Sequence, residues 1–88
     1  MTVEVRLAGL LHTYTAGAAT LRASGTTLGG VLTDLDRQFP GIRFRIVDEQ
    51  DRMRRHMRCF LNNDDARDLA TPVNSGDQVY IVGALSGG

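Results

Sequence analysis

The 88-residue chain has no lysine and no tryptophan, and it has a single cysteine, Cys59. One cysteine cannot form an internal disulfide, which fits a reducing compartment. A cysteine-ligated iron–sulfur cluster needs four such residues and is excluded on the same count. Long apolar runs are also missing. The strongest stretch, "VYIVGAL" at 79–85, is far too short to cross a bilayer. The opening "MTVEVR" carries Glu4 and Arg6 where a signal peptide would need an apolar core. Cys59 is far from the C-terminus, so a prenylation signal is absent. The expectation is a soluble, cytoplasmic protein. Charge of either sign is not in excess: ten arginines face ten acidic side chains. That balance argues against a general nucleic-acid binder, which would carry a basic surplus.

What is present is enough for one small domain. A chain of this size buries only about 60–65% of the surface it exposes unfolded, so it can build a single core. "TVEVRLA" alternates, with Val3, Val5 and Leu7 on one face and Thr2, Glu4 and Arg6 on the other, which predicts a half-buried strand. The loop "GLLHTYTAGA" leads to a second alternating segment, "ATLRAS", so the first two strands predict a hairpin. The period then changes. Leu28, Val31, Leu32, Leu35 and Phe39 fall on one helical face, with Thr26 or Thr27 as N-cap and Pro40-Gly41 as terminator. Gly29 and Gly30 cost this helix about 1 kcal/mol each against alanine. Close approach to a neighbouring strand is the expected compensation.

Residues 42–55 leave two readings open. Ile42, Phe44 and Ile46 alternate like a strand, and a short helical turn fits equally well. "HMRCFLN" is a clearer strand, with Met57, Cys59 and Leu61 inward and His56, Arg58 and Phe60 outward. "NNDD" is a turn cluster, "ARDL" a candidate short strand, and Gly76-Asp77 a tight turn. The final strand is "QVYIV", with Val79 and Ile81 on one face and Tyr80 and Val82 on the other. The order is strand, strand, helix, strand, short strand, strand. A helix on one face of a mixed sheet is an α+β layer arrangement. Tyr80 and Val82 would join Phe60 in an outward apolar patch if their strands are neighbours. The competing reading places them under a loop.

Other residue groups carry less. His56 and Cys59 form H-x-x-C, but no second pair completes a zinc set, and in a strand they face opposite ways. Cys59 reads as core rather than nucleophile. His12 has no acid partner in reach of the local sequence. "RMRRHMR" at 52–58 is basic, and it reads either as a solvated face or as a surface for an acidic partner or a phosphate. Asp64, Asp65 and Asp68 read as a turn rather than a metal site. There is no P-loop and no G-x-G-x-x-G.

The chain closes on "GALSGG". At an average glycine usage of about 7%, a terminal Gly-Gly arises by chance in roughly 0.5% of chains, too often to separate a site from a frayed end by itself. The whole pattern decides. "TVEVRL", "ASGTTLGGVLTDLD", "FPGIR", "LNNDDARDL" and "SGDQVYIVGALSGG" together resemble the ThiS/MoaD family of ubiquitin-like sulfur carriers. Within that family "TYTAG", "ASGTTL" and "PGIR" lean toward the carrier used in cysteine synthesis.

The resemblance implies a ubiquitin-like β-grasp of four to five strands on one main helix over residues 1–83, with a flexible tail at 84–88. It implies that the protein is not itself an enzyme. A separate activating enzyme, using ATP and Mg²⁺, adenylates the Gly88 carboxylate; sulfur replaces the adenylate to give a thiocarboxylate. The carrier itself binds no cofactor or metal. The sulfur-accepting partner is a cysteine synthase first, with molybdopterin synthase, thiazole synthase or a thiosugar-forming enzyme as alternatives. A modifier joined through Gly88 to target lysines is the reading from another class, and a plain interaction domain a third. Gly87 has no Cβ to clash in a narrow site. Ala84, Leu85 and Ser86 complete the entering tail, and Phe60, Tyr80 and Val82 are the candidate docking patch. The missing lysines fit codon bias; a sharper reading is protection of an activated carboxyl from self-attack, which added lysines without extra self-ligation would remove.

Overall fold

The structure is a computed structural model that describes residues 2–83. Strand β1 (Val3–Leu7) has the expected alternation: Val3, Val5 and Leu7 are buried. Strand β2 (Thr20–Ala23) pairs with it antiparallel, Val5 opposite Leu21. Between them the predicted loop contains a 3-10 helix, Gly9–Tyr14, that drives Leu11 into the core. His12 lies on this turn, and its Nε2 is 2.8 Å from the Leu7 carbonyl oxygen.

Helix α1 (Leu28–Gln38) begins where the Thr27 hydroxyl oxygen accepts the Gly30 N–H at 3.1 Å. Such a cap contributes about 1 kcal/mol. Leu28, Val31, Leu32 and Leu35 are fully buried against the sheet. The close approach at Gly29 is to a loop rather than to a strand. Its N–H donates to the Leu69 carbonyl at 2.8 Å, and a Cβ there would stand 3.2 Å from that same oxygen. Gly25 is tighter still, since its Cβ would lie 2.6 Å from the Val31 backbone nitrogen.

Of the two readings for residues 42–46, the helix holds: α2 is Ile42–Ile46. Ile42 and Ile46 are buried one turn apart, and Phe44 between them is 56% exposed. A strand would have put all three on one face. The turn into α2 uses Gly41 at φ +99°, and the Asp36 carboxylate accepts the N–H groups of Gly41 and Arg43, both at 3.1 Å.

Strand β3 (Met57–Leu61) turns through Asn62 and Asn63, both at positive φ, into β4 (Asp64–Asp65). Two left-handed residues make the two-residue hairpin turn that matches strand twist. The short strand thus lies at 64–65, not at the predicted 66–69. Ala66 is instead drawn into the core, its N–H donating to the Cys59 carbonyl at 2.8 Å. Strand β5 (Gln78–Gly83) follows the Gly76 turn. The sheet order is β2-β1-β5-β3-β4. The first and last strands run parallel at its centre, Val5 beside Val79, and β3 joins β5 antiparallel. One face is covered by the two helices; the other is open.

Candidate functional site

The last strand organises the open face. Alternation sends Val79 and Ile81 into the core and Gln78, Tyr80 and Val82 outward. Its neighbour β3 does the same, burying Met57 and Cys59 and turning Arg58 and Phe60 out. Register then places Phe60 directly across from Tyr80, and Arg58 across from Val82. The three candidate patch residues therefore lie together on the open face, not under a loop. Tyr80 is 45% exposed, and Phe60 and Val82 are half-buried.

Pairing also brings in residues that sequence reasoning did not group with the patch. Arg6 of β1 sits beside Tyr80, and Asp65 of β4 lies opposite Phe60. Arg58 reaches Asp65 at 3.6 Å. The result is an aromatic centre with charged flanks. Neither neighbour has a local sequence signal, because each is set by which strands pair.

The patch leads to the chain end. Gly83 closes β5, paired with Met57. Ala84, Leu85, Ser86, Gly87 and Gly88 lie outside the described residues. Five residues span at most about 17 Å from the sheet when extended.

The other candidate chemistry is placed elsewhere. Cys59 is fully buried, and burial pushes its thiol up to about 12. The Arg67 guanidinium acts in the opposite direction without overcoming burial. A thiol held so far from ionisation is a packing group, not a nucleophile. Among the described residues no cluster of three His, Cys, Asp or Glu side chains could hold a metal ion. No helix among them is long and apolar enough to cross a membrane.

Residues 5–88 match the model of the ThiS family, including the Gly87-Gly88 end. The chain belongs to the ThiS family. It is 36% identical to the sulfur carrier protein CysO of Mycobacterium tuberculosis over 93 aligned positions that cover the whole of both chains. Solved structures agree with this ThiS-family assignment. A chain of the Amycolatopsis orientalis BexX/CysO complex superposes with a TM-score of 0.90 at 29% identity, covering 98% of this chain and 99% of that one. The crystal structure of M. tuberculosis CysO gives 0.88 at 33% identity, covering 94% and 99%. The mixed five-stranded sheet with its helix is thus the ubiquitin-like β-grasp of CysO-type proteins.

Proposed function

We propose that this ThiS-family chain is a sulfur carrier whose working group is the Gly88 carboxylate. The observation that carries the reading is the whole-length similarity to CysO, which includes the terminal Gly-Gly. A carboxylate resists nucleophiles because its charge is delocalised and its leaving group would be oxide. In the proposed sequence a separate enzyme joins a Gly88 oxygen to the α-phosphorus of ATP and releases pyrophosphate. Sulfide sulfur then bonds to the acyl carbon, AMP leaves, and a thiocarboxylate remains. The activating enzyme supplies the Mg²⁺ and phosphate contacts. The carrier contributes the acyl group and is a co-substrate rather than a catalyst. Similarity to CysO favours cysteine synthesis as the destination of the sulfur.

The tail at 84–88 enters the partner's active site, and the folded body at 1–83 docks beside it. Ordering a free tail costs roughly 1–2 kcal/mol per residue, so docking has to offset that loss. Phe60, Tyr80 and Val82 are suited to this, being apolar, adjacent and on the strand that leads to the tail. Existence of a BexX/CysO complex supports a protein partner for a chain of this kind.

Intact-mass measurement after incubation with ATP, an activating enzyme and sulfide tests the reading. The expected product is heavier by the exchange of one oxygen for sulfur, and deletion of Gly88 abolishes it while leaving the domain folded. High-mass lysine adducts would make the chain a modifier instead. Loading that survives Gly88 deletion rejects the terminal mechanism.

A further inference from the structure

The segment 52–58 holds four arginines and His56 with no acidic residue, while the other 81 residues carry six arginines against ten acids. The electrically balanced chain is therefore polarised. The structure gathers this charge rather than dispersing it. Arg52, Arg54, Arg55, His56 and Arg67 line one open cleft of about 540 Å³, with Asp48 the acid among its lining residues. Two arginines of the cleft are held in place: Arg67 donates to the Met57 carbonyl at 3.2 Å, and Arg54 donates to the Phe44 carbonyl at 2.7 Å. The Arg54 guanidinium also lies over the Phe44 ring, 4.6 Å from its centroid. Arg55 is exposed and makes no ion pair among the described residues.

The position of this cleft gives it a meaning. It immediately precedes Met57, and Met57 pairs with Gly83, the last described residue before the tail. Arg58, next along, faces the open side opposite Val82. The basic segment thus runs into the strand position beside Gly83, where the tail begins, and its last arginine, Arg58, borders the aromatic patch across from Val82. A protein that receives the tail must bring its own surface against these arginines. Like charge there would be repelled, and carboxylates would be attracted and steered.

We propose that the arginine cleft at the root of the tail docks against a carboxylate-rich rim around the active-site entrance of the enzyme that activates Gly88. This rests on the carrier reading. Contacts of this type speed encounter and fix orientation, and they weaken as salt screens them, with a Debye length of about 8 Å at physiological ionic strength.

The test uses the full chain and the ATP-dependent enzyme that loads it, followed by intact mass. Arg55→Glu and the double change Arg54→Glu/Arg55→Glu should raise the KM for the carrier about tenfold or more with kcat unchanged. The difference from wild type should shrink as salt is added. The single change guards against a folding defect, because Arg54 also braces Phe44. Arg22→Glu on β2, at the far edge of the sheet, is the charge-matched control. Unchanged KM in both variants, an equal rise with Arg22→Glu, or a fall in kcat alone overturns the proposal. In those cases loss of loading on Gly88 deletion still leaves the carrier reading standing. A wild-type chain that no activating enzyme loads overturns both.

Discussion

Replacing Tyr80 by alanine separates docking from folding. Tyr80 is 45% exposed, on the open face. A tyrosine brings about 200 Å² to a contact, so roughly 90 Å² remains to be covered by a partner. At about 25 cal/mol per Å² that area is worth about 2 kcal/mol, or about 30-fold in affinity. The fold loses much less. Core packing is untouched, and the cross-strand pair with Phe60 contributes about 0.5–1 kcal/mol. A domain of this size should lose about 4–8 °C in Tm for each kcal/mol and remain folded at assay temperature. Steady-state loading with varied carrier concentration is the assay, with circular dichroism melts alongside. The expected result is a KM raised up to about 30-fold at constant kcat. Thr33→Ala, on the exposed side of α1, should leave KM alone. A folded Tyr80→Ala chain with wild-type KM would refute the idea that the open face docks.

Three further outcomes follow from local geometry. Gly25→Ala should cost about 1–3 kcal/mol because its Cβ meets backbone, whereas Gly30→Ala, with nothing nearer than Thr27 Oγ1 at 3.4 Å, should gain up to about 1 kcal/mol; urea midpoints in the reverse order would reject this packing account. Cys59 should resist a thiol reagent in the native state at about pH 8 and react once unfolded; its raised pKa also means stability falls as pH climbs past the unfolded thiol's value and on toward about 12. Full native-state labelling would show the core is not closed there. Asp77 is held below its usual range by the Asn74 N–H and then by the Asn62 amide, and Asp34 chiefly by the Ser24 N–H. Depressed carboxyls stabilise above the unfolded pKa, so stability should be flat near neutrality and decline as acid protonates them; Asp77→Asn should flatten part of that decline, and an unaltered acid limb would exclude Asp77.

The long periodic elements were legible because burial of one face dictates their spacing. β1, α1, β3 and β5 alternate or repeat as their burial demands. The short elements were not legible. Ile42 and Ile46 satisfy a strand and a helix equally, and only the exposure of Phe44 distinguishes them. β4 is set by the left-handed pair Asn62-Asn63, which fixes a hairpin two residues earlier than composition implied. Alternation gave the outward direction of Phe60, Tyr80 and Val82. Their adjacency depends on β3 pairing with β5, a non-local fact with no local signature. The Gly29 contact with Leu69 is non-local in the same way, whereas Gly25 meets the backbone of Gly30 and Val31 a few residues on.

Placing the last strand at the centre of the sheet ties the chain's birth to its use. β5 pairs with both β1 and β3 and supplies Val79 and Ile81 to the core. Until that strand leaves the ribosome, β1 and β3 lack their shared neighbour, and the sheet stays split in two. A translation product cut short before residue 78 would have neither a finished fold nor a tail. A complete sheet then exists only in chains that have already acquired the strand leading to residues 84–88. The topology therefore makes completion of β5 the step on which the whole sheet depends, whereas a chain that lacks only Gly88 keeps every strand pairing.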